Sequence, residues 1–195
     1  FILDAKFPVL IRGRHGIGKS TVVYQYAKHI DMPVVERRAS QMTEGDLVGL
    51  PSVEDNSTRF NPPDWFKTAC DHPVILFLDE VDRATLEVRQ GIFELTDSRK
   101  LNGHTLHDDT VVLAAVNGGE HGSQYQVGEM DPAELDRWTV FDIEPSIDDW
   151  LHQTRYILLV GPGNDLTSAW SRAICLKITI RYTTSPPHSL VSRQR

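Results

Sequence analysis

Eight residues near the start of the chain combine glycine, lysine and serine at a spacing that can bind phosphate. Residues 13–20 read Gly-Arg-His-Gly-Ile-Gly-Lys-Ser and match G-x-x-x-x-G-K-[ST], a loop whose backbone N–H groups converge on phosphate oxygens. Lys19 would bring a positive charge to the outer phosphates, and the Ser20 hydroxyl would ligate Mg²⁺. The pattern predicts a nucleotide-binding loop.

The segments on either side of this loop fit the same interpretation. A short apolar run, residues 9–11, stands just before Gly13, and Pro33 lies beyond the end of the following segment. That segment has apolar residues at helical spacing, so the loop would open a helix whose N-terminal dipole favours an anion. The apolar positions are Val22, Val23, Tyr26, Ala27 and Ile30.

Two acidic residues follow an apolar run of residues 74–78, which is typical of a strand buried on both faces. At the end of such a strand, Asp79 could hold Mg²⁺ through water, and Glu80 could orient and deprotonate an attacking water. Acids at a helix start are also favoured by the helix dipole alone. The loop about 60 residues upstream makes the catalytic interpretation the stronger one.

A polar residue ends another buried strand, predicted for residues 111–116. Asn117 would lie at the carboxyl edge of the sheet, where α/β proteins bind ligands, and could contact the γ-phosphate or the water. An asparagine before Gly118 and Gly119 could equally be a turn residue.

Strand-like and helical segments alternate, which predicts an α/β fold with a mostly parallel sheet. Residues 41–63 are punctuated by Gly and Pro, and Asn102-Gly103 predicts a hairpin. Further elements are a strand at 34–38, a helix at 64–71 capped by Asp64, a helix at 85–97 with Leu86, Ile92, Phe93 and Leu95 mostly on one side, a short helix opened by Pro132, a last strand at 140–143 and a helix capped by Ser146.

Composition narrows the function further. The 195 residues carry a net charge of −7, which argues against a nucleic-acid-coating surface, so nucleic acid is not an expected partner. No apolar run is long enough for a membrane span, so we expect no membrane association. The two cysteines, Cys70 and Cys175, form no motif. We therefore expect them to be buried apolar residues in a cytoplasmic protein.

The chain changes character near Arg155. Residues 1–154 contain 14 Lys and Arg against 26 Asp and Glu, whereas residues 155–195 contain 6 basic residues and one acid, Asp165. Ser, Thr and Pro are also frequent there. This segment is either a basic, partly disordered interaction tail or, as we slightly favour, not the native continuation of the chain.

The motifs as a set resemble the AAA+ ATPases, most closely the MoxR-like group with the related dynein-type and McrB-type modules. The resemblance covers residues 5–150. It is carried by the phosphate loop, the segment 40–51, Asp79 to Ala84, the strand ending at Asn117, and Asp131-Pro132-Ala133 followed by Arg137-Trp138. It implies a three-layer αβα P-loop core at residues 1–145, with the lid and basic tail at 146–195 truncated or atypical.

The resemblance also implies functional roles. Asn117 would be the sensor-1 residue and Arg137 an arginine finger that reaches a neighbouring subunit of a homo-oligomeric ring, since a guanidinium fork matches phosphate oxygens. A surface ion pair of Arg137 with Asp136 or Asp142 is the alternative. Glu80, Asn117 and Arg137 would be catalytic. Ser20 and Asp79 would hold Mg²⁺, and ATP would be bound by Asp79 together with Gly13, Arg14, His15, Gly16, Ile17, Gly18, Lys19, Ser20 and Thr21.

Such ATPases remodel protein partners, and MoxR-like members often act with a von Willebrand A-domain protein. Two features depart from the family pattern: Arg14 and His15 stand where relatives usually have a proline, and only one lid-like helix is evident. A nucleotide-binding interaction module with little hydrolysis is therefore the main alternative. A small-molecule kinase is less favoured, because it would need neither the Asp-Glu pair nor Arg137.

A pair of histidines, His104 and His107, followed by Asp108 and Asp109, also deserves a metal-site interpretation. Residues three apart on a hairpin strand point to opposite faces, which is poor for chelation. We expect an exposed polar hairpin instead.

Overall fold

The computed structural model describes residues 7–54, 56–117, 130–145 and 176–180. Strands and helices alternate along the chain. In order, they are β1 (Val9–Arg12), α1 (Lys19–His29), β2 (Val34–Arg38), α2 (Glu44–Val48), β3 (Leu50–Glu54), β4 (Ser57–Asn61), α3 (Asp64–Asp71), β5 (Ile75–Asp79), α4 (Leu86–Ser98), β6 (Lys100–Leu101), β7 (His104–Thr105), β8 (Val111–Val116), α5 (Pro132–Leu135), β9 (Thr139–Pro145) and β10 (Leu176–Ile180).

The main sheet has the strand order β10-β9-β1-β8-β5-β2. Its strands from β9 to β2 are all parallel, which confirms the predicted α/β fold. The prediction that residues 140–143 form the last strand is wrong, because β10 follows and pairs antiparallel with β9. All neighbours of β1 run parallel to it, so the carboxyl ends of β1, β5 and β8 meet at one edge of the sheet.

Helices cover both faces of the sheet and make three layers. Val9 and Ile11 point to the face that packs against α1, where Val23 and Ala27 are buried. Leu10 points to the opposite face, where the buried side chains of α3 and α4 lie. This alternation is the period of two expected for a strand covered on both sides. The two apolar clusters hold the strand ends in fixed positions.

Two predicted details of the helices are wrong. Pro63, not Asp64, stands at the N-cap of α3; Asp64 is the first helical residue, where an acid still favours the helix dipole. Leu86 is 53% exposed, because the buried face of α4 instead carries Val88, Ile92 and Leu95.

The Gly/Pro-punctuated segment holds three elements that were not predicted: α2 and the hairpin of β3 and β4. Gly49 joins α2 to the hairpin at φ 88°. A Cβ at this position would lie 1.9 Å from the carbonyl oxygen of Asn61. Only glycine fits there, because both the backbone angle and the close approach exclude a side chain.

The lid and tail predicted for residues 146–195, including the helix capped by Ser146, lie outside the described residues except for β10. The domain boundary at residue 145 therefore stays a prediction. In the part of the chain that is described, no helix combines the length and apolar character that a membrane crossing requires.

Candidate nucleotide site

The phosphate loop, Asp79 and Asn117 lie at the same edge of the sheet. The loop leaves the end of β1, Asp79 ends β5, and Asn117 follows β8, the strand between them in the sheet. The N–H of Gly13 donates to the carbonyl of Val116 at 3.3 Å, which ties the start of the loop to the end of β8. Three segments that are distant in sequence are thereby brought together.

The glycines of the loop serve two different purposes. Gly16 and Gly18 have φ of 79° and 91°, so they supply the left-handed turns that aim backbone N–H groups inward. Gly13 has no positive φ, so it does not contribute a left-handed turn. A Cβ on Gly13 would lie 2.6 Å from the carbonyl oxygen of Ile143, so this glycine permits close packing against β9.

The helix that follows the loop offers its first turn to an anion. Gly18 stands at the N-cap of α1 and makes no side-chain cap, and no acidic residue occupies the first turn. No carboxylate from this turn therefore competes with an anion for the backbone N–H groups, and the helix dipole adds partial positive charge. Around them, Arg14 and His15 are exposed, while Ile17 and Thr21 are half-buried.

Lys19 is buried and uses all three of its ammonium hydrogens within the chain. It donates to the carbonyls of Gly13 at 2.9 Å and Arg14 at 3.0 Å, and to Oδ1 of Asn117 at 2.7 Å. Burial lowers the pKa of Lys19, although the charges of Asp79 and Asp82 oppose this effect. A phosphate entering the loop must therefore replace one of these acceptors.

Asp79 and Ser20 form the part of the site that suits a divalent cation. The Ser20 hydroxyl lies 3.5 Å from Oδ2 of Asp79, and the N–H of Glu80 donates to Oδ1 at 2.9 Å. Burial raises the pKa of Asp79, as expected for a carboxylate whose charge is poorly neutralised. Hydroxyl and carboxylate oxygens are the ligands that Mg²⁺ prefers, so these two residues fit the ion together with phosphate oxygens and water.

Glu80 has a contact that the sequence did not reveal. Its backbone is left-handed, at φ 56°, and Oε2 accepts a hydrogen bond from the Ser40 hydroxyl at 2.5 Å. Ser40 lies in the turn after β2, the strand adjacent to β5. The candidate base is therefore held by a neighbouring strand end, and an unremarkable serine gave no signal of this.

Asp82 is a second residue that sequence reasoning did not single out for the site. It is 3% exposed, and its Oδ2 accepts the backbone N–H of Asn117 at 2.8 Å. Its Oδ1 has no partner among the described residues, and burial raises its pKa. Asp82 fixes the backbone of Asn117, and its position in Asp79-Glu80-Val81-Asp82 was the available signal.

Arg137 lies far from this cluster. It lies two residues before β9, whose first residue, Thr139, is in register with Val9, the first residue of β1. The phosphate loop follows the last residue of β1, so Arg137 is at the opposite edge of the sheet. Its Nε donates to Oδ2 of Asp97 at 2.7 Å.

The ion-pair partners that the sequence suggested for Arg137 are therefore wrong. Asp142 pairs with Arg12 instead, with contacts of 2.5 and 2.9 Å. This pairing follows from the sheet itself, because Arg12 and Asp142 are register partners on neighbouring strands.

The histidine hairpin is a polar surface turn, as expected. His104 Nε2 lies 3.3 Å from the carbonyl of Phe60, and His107 Nδ1 accepts the N–H of Asp109 at 3.1 Å. Among the residues that the structure describes, no three His, Cys, Asp or Glu side chains form a group that could hold a metal ion.

A parallel sheet with a phosphate loop after β1 and an acidic pair after β5 defines the P-loop nucleotide-binding class. Residues 8–138 match the family model "AAA domain (dynein-related subfamily)", and the chain belongs to this family. The predicted resemblance to MoxR-like AAA+ proteins is thereby confirmed, and with it membership in a family of ATP-dependent proteins.

Known proteins that resemble the chain include a chelatase subunit and a protein of solved structure. The aerobic cobaltochelatase subunit CobS of Sinorhizobium sp. is 30% identical over an alignment of 154 positions that covers 68% of this chain and 44% of that protein. A crystal structure of a candidate ATPase from Cytophaga hutchinsonii ATCC 33406 matches with a TM-score of 0.57 at 18% identity, covering 80% of this chain and 48% of the other. The chain thus spans less than half the length of either protein.

Proposed function

We propose that this chain hydrolyses ATP with Mg²⁺ and works in a homo-oligomeric ring that remodels a protein partner in the cytoplasm. The observation that carries the proposal is the set of polar side chains at one sheet edge: Lys19, Ser20, Asp79, Glu80 and Asn117. Nucleotide binding alone would not need Glu80, a second carboxylate next to the proposed Mg²⁺ ligand Asp79.

Each residue of this set has a distinct role in the proposal. The loop and Lys19 bind the phosphates, and Asn117 orients the γ-phosphate. Mg²⁺ held by Ser20 and Asp79 would neutralise the charge of the phosphates. Glu80 accepts a proton from the attacking water, and the hydrogen bond from Ser40 to Oε2 restrains the orientation of its carboxylate.

Arg137 supports the ring. Because it lies at the sheet edge opposite the phosphate loop, it cannot serve the site of its own chain. A permanently charged guanidinium in trans is a common way to stabilise the charge that develops on a transferring phosphoryl group. We therefore propose that Arg137 completes the site of a neighbouring copy.

The partner is proposed to be a protein, and a von Willebrand A-domain protein is one candidate. The similarity to a named chelatase subunit agrees with a chain that acts inside a larger assembly. An interaction module that binds nucleotide without turnover is the alternative. The sequence of residues 146–195, in which only one lid-like helix is predicted, favours this alternative.

The two functions are separated by the Glu80→Gln variant, which keeps the size of the side chain but removes the base. It should bind ATP with unchanged affinity and lose phosphate release by a factor of about 10² to 10⁴. Titration calorimetry and a phosphate-release assay give the two readouts. Full turnover in this variant would refute the role of Glu80, and no turnover in the unmodified protein would favour the alternative.

The shared site is tested by mixing subunits. Arg137→Ala chains keep their own binding site, and Lys19→Ala chains keep Arg137. Each alone should be inactive, whereas the mixture should recover part of the activity. Specific activity of the unmodified protein should also rise with its concentration. An activity independent of concentration, with no recovery on mixing, would refute the intersubunit site.

A further inference from the structure

One face of α4 contacts the segment that ends in Arg137. Arg89, Phe93 and Asp97 are spaced by four residues, which aligns them along a single face of the helix. Arg89 pairs with Glu134 at 3.5 Å. The Arg137 guanidinium lies 5.5 Å from the centre of the Phe93 ring, and its Nε bonds Asp97. Along this face of α4, Arg89 thus holds Glu134, and Phe93 and Asp97 hold Arg137.

The contact between Arg89 and Glu134 fixes the start of the segment 134–137. Glu134 is 8% exposed, and its Oε2 also accepts the N–H of Asp131 at 3.0 Å. The Asp131 side chain in turn accepts the N–H of Ala133 at 2.9 Å, so the first turn of α5 is closed by reciprocal caps. The backbone that leads to Arg137 is therefore rigid where it meets α4.

Two of the three guanidinium nitrogens of Arg137 are bonded within the described residues. Nε donates to Asp97, and Nη1 donates to the carbonyl of Ala133 at 2.6 Å. Within the described residues, no acceptor is bonded to Nη2, and the side chain is 35% exposed. Nη2 carries two hydrogens, and neither is bonded to an acceptor among the described residues.

The position of Asp97 is unfavourable for the helix itself. It lies in the last turn of α4, which contains no basic residue, and a negative charge there opposes the helix dipole. Pairing with Arg137 compensates for this placement. An acid at this position is accordingly better explained by its partner than by the helix.

We propose that Asp97, supported by Phe93, is a positioning residue that holds Arg137 so that its Nη2 group can donate to a neighbouring subunit. The inference rests on the proposed intersubunit role of Arg137. It adds that α4 orients the arginine before the neighbour arrives, so that loss of Asp97 weakens the site of the adjacent copy and not that of its own chain.

The experiment uses the subunit mixture, with Arg137→Ala chains as acceptors and Lys19→Ala chains as donors. Adding Asp97→Asn to the donor should lower the recovered ATPase rate about fivefold, the size expected for an exposed ion pair. Adding it to the acceptor should change nothing, because that chain has no Arg137 to position. Glu94→Gln, which removes an exposed acid from the same helix, is the matched control and should be neutral in either chain.

The outcomes separate the positioning role of Asp97 from the proposed site shared between subunits. An equal loss in both arms would mean a general defect of α4 and would overturn the positioning role. An unchanged rate with the Asp97→Asn donor would also overturn the positioning role, because the ion pair would then have no effect on Arg137. A higher rate would overturn it too, because the ion pair would then restrain Arg137. No recovery with the unmodified donor would refute the shared site itself, and the positioning role with it.

Discussion

Replacing Asn117 by alanine tests the hydrogen bond between Asn117 and Lys19 in the candidate nucleotide site. Oδ1 of Asn117 is one of three acceptors of the buried Lys19 ammonium, at 2.7 Å. A hydrogen bond to a charged group contributes roughly 1.5–3 kcal/mol. Because Lys19 keeps two backbone carbonyls, we take the lower value, about 1.5 kcal/mol. For a chain of this size that corresponds to a fall in melting temperature of about 3–6 °C.

The same reasoning predicts an opposite effect on nucleotide binding. When a phosphate replaces Asn117 as an acceptor of Lys19, the complex with nucleotide no longer contains the bond between Lys19 and Asn117. The Asn117→Ala substitution therefore destabilises the protein without nucleotide but not the complex. ADP, which lacks the γ-phosphate, should then bind up to about tenfold more tightly, since 1.4 kcal/mol corresponds to a factor of ten. ATP hydrolysis should nevertheless fall, because nothing orients the γ-phosphate.

Thermal unfolding of the nucleotide-free protein and calorimetry with ADP and Mg²⁺ measure both effects. Asn61→Ala is the matched control, because Asn61 also ends a strand but is exposed, and it should leave both quantities unchanged. If Asn117→Ala melted like the unmodified protein and bound ADP more weakly, Asn117 would not be exchanged for phosphate at Lys19, and the reasoning would be refuted.

Three further predictions concern residues that the sequence did not single out. Ser40→Ala should raise single-turnover hydrolysis by up to about tenfold without changing nucleotide affinity, because Glu80 is released; Ser40→Thr should behave like the unmodified protein, and slower hydrolysis in Ser40→Ala would contradict this. The raised pKa of Asp82 means that its protonated form favours folding and that this contribution is lost as pH rises through the folded-state pKa. Asp82→Asn should therefore melt no lower than the unmodified protein at neutral pH and show a flatter pH profile, as thermal scans across pH would show. Gly49→Ala should lower the melting temperature, by several degrees for each kcal/mol of strain, whereas Gly45→Ala in α2 should raise it slightly; equal effects would refute the steric argument.

The strands and the site residues at their ends were predictable because burial leaves a plain pattern. Residues 75–78 and 111–116 are apolar throughout. A short run of this kind is typical of a strand that is buried on both faces of a sheet. The polar residues that follow such strands must meet at one edge, whatever the order of the strands. The type and position of these residues were therefore sufficient to predict Asp79, Glu80 and Asn117 as neighbours.

The elements that escaped prediction lack this pattern. Leu50 and Val53 on β3 are 73% and 77% exposed, so the hairpin of β3 and β4 has no buried face to impose an alternation. The partners of the charged side chains were equally hidden. Ser40 and Glu80, like Asp97 and Arg137, are 40 residues apart, and which strand or helix end meets which is decided by packing rather than by spacing.

The helix α4 runs between the candidate nucleotide site and Arg137. It follows the turn that contains Asp82 at the carboxyl edge and ends at Ser98, next to the residue that holds Arg137. Each strand residue advances about 3.3 Å, so the four residues of β1 alone separate the two edges by about 10 Å or more. A change at Glu80 or Asp82 that shifts the start of α4 would therefore be carried by a packed helix to Arg137, the residue proposed to contact a neighbouring copy. Coupling between adjacent sites would then need no element beyond the one that already orients Arg137.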